Sequence, residues 1–234
     1  MDTIKVYFFT LMVVLGGHAM TQDDAESETR DYVFVFIKTG PEDANITGDA
    51  RNEAFGGHFS NMRKMSADGD LLIAGPFGPP MADTNHRGIF VFDAQTLEEG
   101  MTLAETDPPT KLGIFVLTGF VFTTDDPLTK LHELDMKALK EQGEDAPPGS
   151  NARAYVLATA PFDDALYQSA AKNDNVFIAG KLHGSGEDGA DQILIWLDAE
   201  NVEGANEITA QFGGDWTLHG WFGSKSIALL SRED

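Results

Sequence analysis

Apolar positions along this chain recur in two periods, and the periods alternate in the same order twice. Tyr32-Val-Phe-Val-Phe-Ile-Lys38 is rich in β-branched and aromatic residues and reads as a strand. A polar, turn-rich loop from Gly40 to Ala50 follows. From about Asn52 to Ala67 the spacing becomes helical. Phe55, Phe59, Met62 and Met65 or Ser66 form the expected buried stripe, and Asp68-Gly69 stops the helix. His58 falls on that inward face, three residues after Phe55 and four before Met62. Leu71 to Ala74 and Ile89 to Phe92 read as two strands joined by the Gly/Pro-rich stretch GPFGPPMADTNHRG. Thr96-Leu-Glu-Glu99 is a capping box, whose side chains satisfy free amides at a helix start. That helix is expected to run to about Thr106, where Asp107-Pro108-Pro109 ends it. Ile114 to Phe122 supplies a fourth strand, giving β-α-β-β-α-β.

The same order returns after a divider. In Asp125 to Asn151, Leu128, Leu131, Leu134 and Leu139 suggest a short amphipathic helix, and EQGEDAPPGSN reads as an exposed acidic linker. Beyond it come a strand at Ala154–Ala158, a helix at Asp163–Lys172, strands at Val176–Ala179 and Ile193–Leu197, a helix at Val202–Gln211 and a strand at Ser226–Leu230. Asp70 to Asp107 matches Asn175 to Phe212 at a fixed offset of 105 residues, with seven identities in 38 positions and apolar positions tracking apolar positions. The copies differ where chemistry would sit: His58 and Asp107 fall opposite Asp163 and Phe212.

A β-α-β-β-α-β unit of this size leaves one sheet face bare, and a bare apolar face needs a cover. The expected fold is therefore α+β: two tandem ferredoxin-like modules, 31–124 and 152–234, joined by the linker 125–151 and closing one intramolecular pseudo-dimeric barrel. Phe34, Phe36, Phe90, Phe92 and Trp196 alternate along strands and are expected at that interface.

Composition narrows the setting. The 234 residues are 42% hydrophobic and 10% aromatic, enough for packed cores. There is no cysteine, which removes disulfides, thiol catalysis and thiolate metal sites together. Lys5, the apolar run Val6 to Leu15 and the small residues of Gly17-His18-Ala19 read as a cleaved leader over 1–19, followed by an acidic, disordered segment over 20–30. Such a chain is exported, to a periplasm or the extracellular medium, and is not membrane-bound once the leader is removed. In a eukaryotic secretory pathway Asn45-Ile46-Thr47 would be a glycosylation sequon. The net charge of −22 and pI near 4.4 repel nucleic acid and anionic membranes. They fit either a cationic partner or simple solubility. An internal pseudo-dimer is compatible with a monomer or a homodimer.

His58 on the first helix, the strand-turn Asp70-Leu-Leu-Ile-Ala-Gly-Pro76, the strand Gly88-Ile-Phe-Val-Phe-Asp-Ala94 and the step Asp107-Pro108 together resemble the YCII-related family. The resemblance covers about Tyr32 to Thr123, and the second module looks like a degenerate copy. It implies a ferredoxin-like fold paired as an α+β barrel, similar to that of muconolactone isomerases. The family includes an enzyme that removes chloride from a chlorinated hydroxyquinol. The resemblance implies that His58 and Asp107 pair beside the sheet. Two positions depart from the family pattern. Phe55 stands where the family has Arg, with Arg51 the nearest on that side, and Pro109 replaces an aromatic.

From the residues themselves, an inward His58 is either a core histidine satisfied by a backbone carbonyl or a base held by Asp107. The second arrangement fixes a tautomer and orients a general acid/base, so His58 and Asp107 are the candidate catalytic residues. The expected chemistry is proton transfer in an elimination or isomerisation of a small cyclic molecule. The alternative is a non-catalytic barrel that binds a small molecule. Phe59, Phe77 and Arg87 are the candidate substrate-binding residues, with Phe77 walling the cleft or covering the barrel end and Arg87 holding a substrate carboxylate or standing solvated. His86 could join the pair as a third metal ligand, but its spacing matches no metal motif. The sequence calls for no metal and no cofactor.

Overall fold

A computed structural model describes residues 29–79, 83–143 and 149–232. The expected leader, the acidic stretch up to residue 28 and residues 144–148 of the expected linker lie outside them.

The first module is β1 (Arg30–Thr39), α1 (Gly48–Asp68), β2 (Leu71–Pro76), β3 (His86–Phe92), α2 (Leu97–Ala104), a single-turn helix α3 (Pro108–Lys111) and β4 (Phe115–Thr124). A linker helix, α4 (Lys130–Gln142), leads to β5 (Ala152–Pro161), α5 (Asp164–Ala171), β6 (Val176–Leu182), β7 (Gln192–Leu197), α6 (Val202–Thr209) and β8 (Thr217–Ser224). The 105-residue offset relates β2, β3 and α2 to β6, β7 and α6, and for the two helices it holds at both ends.

All eight strands form one antiparallel sheet in the order β2-β3-β1-β4-β6-β7-β5-β8. The modules join where Phe122, Thr123 and Thr124 of β4 pair with Leu182, Lys181 and Gly180 of β6. The sheet then curls until β8 returns to β2. There the Gly78 amide donates to the Gly220 carbonyl at 2.8 Å and Phe77 bridges to Trp221. A Cβ on Gly75 would stand 1.9 Å from the Phe222 carbonyl oxygen, so this second seam closes only because residue 75 lacks one. The result is a nearly closed α+β barrel built from two ferredoxin-like modules.

Strand residues are apolar on both faces because both faces are covered. On β1, Tyr32, Phe34 and Phe36 point into the barrel, whereas Val33, Val35 and Ile37 pack under α1 and α2. The interior is filled by rings: Trp196 lies 6.1 Å from Phe34, 5.9 Å from Phe122 and 6.4 Å from Trp221, centroid to centroid. Leu128 and Leu131 of the linker join this core, as do Ile227, Ala228 and Leu230 of a 3-10 helix at Lys225–Arg232.

Four expectations change. Phe90 and Phe92 face the helices, because their places in the β3 alternation oppose those of Ile89 and Val91. The last strand is Thr217–Ser224, and the apolar run Ser226–Leu230 is the 3-10 helix. Two glycines thin the hydrophobic signal of β8 and hide its alternation of His219 and Trp221 on the inward side. Phe59 is 53% exposed and outside the buried stripe, which runs through Ala54, His58 and Met65. Finally, Asp107 does not end a helix. α2 stops at Ala104, and Asp107 is the residue before the first turn of α3, where Pro108 and Pro109 are well placed because first-turn amides need no helical partner.

Candidate functional site

Two short-range features place His58 against Asp107. His58 sits in the middle of α1, on the face that packs on the sheet, and is 9% exposed. Asp107 opens α3 and is fully buried. A helix-opening aspartate normally caps the first amides, but Pro108 and Pro109 have no N–H to offer, and the Asp107 side chain makes no cap bond. Its carboxylate accepts from His58 Nδ1 at 2.7 Å and from the Thr110 hydroxyl at 3.3 Å. Gly57 sets the approach of the two helices: a Cβ there would lie 2.8 Å from the Pro108 ring.

A carboxylate can only accept, so the short bond puts the imidazole proton on Nδ1 and leaves a lone pair on Nε2. Among the described residues Nε2 has no hydrogen-bond partner. Four rings enclose the imidazole: Phe59 at 5.3 Å, Phe115 at 5.8 Å, Phe90 at 6.0 Å and Phe55 at 6.1 Å. Together with Met62, Gly75 and Gly88 they line a cavity of about 280 Å³ between α1 and the outer face of the sheet. This size suits one small ring with few substituents. The barrel interior, by contrast, is packed with side chains.

The polar rim of the cavity is Arg51, Asp43 and Arg87. Asp43 lies between the two guanidiniums, with Arg51 Nη2 at 2.8 Å from one oxygen and Arg87 Nη2 at 3.1 Å from the other. Arg51 also donates to the Asp43 and Ile46 carbonyls and lies over the Phe55 ring at 5.1 Å.

The structure therefore brings His58, Phe59 and Arg87 around one cavity, with Asp107 buried behind His58. It places Phe77 elsewhere. Phe77 is 8% exposed at the end of the barrel, stacked on Phe36 and tilted against His219, so it does not wall this cavity. The alternation past β2 turns it inward, while Gly75 and Pro76 line the site. His86 likewise stacks on Phe36 at 4.8 Å inside the barrel and cannot join His58. Burial lowers the His86 pKa, opposed by Asp83. Burial, with the charge of His86 adding to it, brings His219 down to about 4. Among the described residues no group of three or more His, Asp or Glu side chains could hold a metal ion.

Asp43, Thr110, Gly57 and Phe115 are site residues that the sequence did not single out, and Arg51 was named only as the arginine nearest to Phe55. Arg51 carried a signal: it stands seven residues, two helical turns, before His58, and so shares its face. Asp43 carried none, since a loop aspartate declares no partner.

No protein-family model matches the chain, and no curated protein matches it. Solved structures do. A point mutant of chlorite dismutase from Candidatus Nitrospira defluvii is similar at 14% identity over 86% of this chain and 93% of that one, with a TM-score of 0.51. Another mutant of that enzyme, in complex with cyanide, gives 13% identity over 88% and 95%, with a TM-score of 0.52. The same enzyme in complex with imidazole gives 13% over 86% and 93%, with a TM-score of 0.50. At these identities the likeness extends to architecture and to nothing finer. The chain shares the ferredoxin-like α+β barrel fold of the chlorite dismutase structures.

Proposed function

We propose that this chain is an exported α+β barrel that binds a small cyclic molecule under α1 and moves a proton on it through His58, in a lyase or isomerase type of reaction. The observation behind this reading is the short Asp107–His58 bond, which leaves Nε2 as a base at an apolar cavity. In the first step Nε2 takes a proton from a carbon next to a carbonyl, or from a phenolic hydroxyl. The bonding pair stays on the substrate as an enolate or phenolate. The imidazolium that forms lies against the buried Asp107 carboxylate, an ion pair strengthened by the low local dielectric. In an isomerisation the proton returns to a different substrate atom. In an elimination the electron pair forms a double bond, the leaving group departs with its own pair, and the proton on His58 is available to it. A positioned base of this kind is worth about 10²–10⁴ in rate. The leader-like segment over 1–19 supports export.

Proton exchange provides a test that does not require the natural substrate. Single-ring ketones, lactones and phenols are incubated with the chain in D₂O, and loss of the C–H signal is followed by NMR. The expected result is exchange in at least one compound, slowed by about 10²–10⁴ in His58→Ala. Exchange undiminished in His58→Ala sinks the assignment of His58. Binding without exchange in any compound supports the non-catalytic barrel instead.

A further inference from the structure

Taking the cavity as the ligand site, we infer that its ligand is a single-ring monoanion with its carboxylate held by Arg87 and its ring directed toward His58. The argument rests on the distribution of charge around the cavity. Two guanidiniums share one carboxylate, that of Asp43, so the rim retains one uncompensated positive charge. Both terminal nitrogens of Arg51 are engaged: Nη2 holds Asp43 and Nη1 donates to two backbone carbonyls at 2.8 and 3.3 Å. In Arg87 only one is. Its Nε donates to the Thr39 hydroxyl at 2.8 Å and its Nη2 to Asp43 at 3.1 Å, while Nη1 has no partner among the described residues. Its side chain is 45% exposed where it lines the cavity.

The opposite end carries the other sign. Asp107 is a buried carboxylate behind His58. Arg51 and His58, seven residues apart on one helix, are separated by about 10 Å along its axis, and four phenylalanines wall the space near His58. A ligand with one negative group and an apolar ring meets attraction at the rim, ring contacts in the middle and repulsion from Asp107 if reversed. The cavity thereby fixes orientation as well as charge. A cation would face the guanidinium, and a dianion would leave one charge unpaired in an apolar space. The same polarity presents the ring, not the carboxylate, to Nε2.

Binding of benzoate, its neutral isostere benzamide and benzylamine to the full chain tests this by titration calorimetry. Benzoate is expected to bind about tenfold tighter than benzamide, the value of one charge-assisted hydrogen bond, and benzylamine not measurably. Arg87→Gln should bring benzoate down to the benzamide level while leaving benzamide unchanged. Asp43→Asn should change benzoate affinity in the opposite direction, because it removes the competing carboxylate. A purely structural role for this cluster cannot give opposite signs. Equal affinities for benzoate and benzamide overturn the inference, as does absence of binding by all three probes, or an Arg87→Gln chain that keeps the preference. His58→Ala separates the two proposals: it should slow proton exchange by about 10²–10⁴ and keep the benzoate preference. Loss of exchange with no charge preference would refute the ligand class alone. In the wild-type chain, a charge preference with no exchange in any compound would refute the proton-transfer reading alone.

Discussion

The two modules keep the same frame and differ in one corner. In both, an arginine at the start of the first strand lies over a tyrosine two residues on and pairs with an aspartate after the third strand. Arg30 lies 5.2 Å from the Tyr32 ring and pairs with Asp93, and Arg153 lies 4.7 Å from the Tyr155 ring and pairs with Asp198. Both second helices are eight residues long, with side-chain caps at Thr96 and Asn201. The corner that differs is the one that holds the His58–Asp107 pair. α1 has 21 residues and α5 has eight. Asp163, opposite His58, is the residue that caps α5 at the Leu166 amide, so the second module begins its helix where the first places its imidazole. Phe212, opposite Asp107, packs against Trp216 at 5.6 Å. Parts that hold the sheet are therefore the same in both copies. The site needs two additions that only the first copy has, a longer helix and the proline-opened turn α3.

The largest expected effect tests whether the shared frame is one body. Trp196 belongs to the second module but packs on Phe34 and Phe122 of the first. Trp196→Ala should cost about 4 kcal/mol and lower a single urea transition. Two separated transitions would break the picture of a common core.

The next effect contrasts the two seams. At β4–β6 the polar side chains are paired: Thr123 Oγ1 lies 2.8 Å from His183 Nε2, and the Thr124 hydroxyl donates to the Ala179 carbonyl at 2.6 Å. Beside β2–β8, the imidazoles of His86, at the start of β3, and His219 of β8 face each other at 5.8 Å, and neither Nδ1 has a partner among the described residues. The folded His219 pKa of about 4 lies below the ordinary value of 6.5, so the unfolded chain binds more protons between these values. Stability is thus fully present above about pH 6.5, falls as pH drops, and has lost about 3 kcal/mol from this group below pH 4. The lowered His86 pKa acts in the same direction. Urea midpoints of the wild type and His219→Leu should diverge along that slope. Parallel pH curves would remove the seam as the acid-sensitive element.

Smaller changes address the corner itself. Gly57→Ala puts a methyl group against the Pro108 ring and should cost about 2 kcal/mol, moving α3 away from α1 and weakening the His58–Asp107 bond. Asp163→Ala, at the matching position of the other copy, should cost only about 1 kcal/mol as a lost cap and leave His58 undisturbed. Thermal melts combined with His58 imidazole shifts distinguish the pair, and equal effects on His58 would erase the contrast between modules.

Much of the fold was legible because strand and helix periods are clean where both faces are buried, as in Tyr32–Ile37 and Ile193–Leu197. The fixed offset carried the rest. β8 was lost because Gly220 and Gly223 leave gaps in its alternation. Phe77 was misplaced because a turn of glycine and proline conceals which side of the sheet the next side chain takes. The inward orientation of His58 followed from helical spacing alone. The surroundings of Asp107 did not: proline ends one helix and opens another by the same loss of an amide, and sequence does not say which. The rim pair of Asp43 with Arg51 and Arg87 depends on a loop folding back on a helix, and no period announces that.

The claim that one corner of one module holds an oriented base is tested most directly by long-range ¹H–¹⁵N spectra of the six histidines, with His58 assigned by mutation. The arrangement predicts that neutral His58 is the Nδ1–H tautomer, with an unprotonated Nε2, and that Asp107→Ala abolishes this preference. A neutral His58 protonated on Nε2, or a tautomer ratio that Asp107→Ala leaves unchanged, would contradict it.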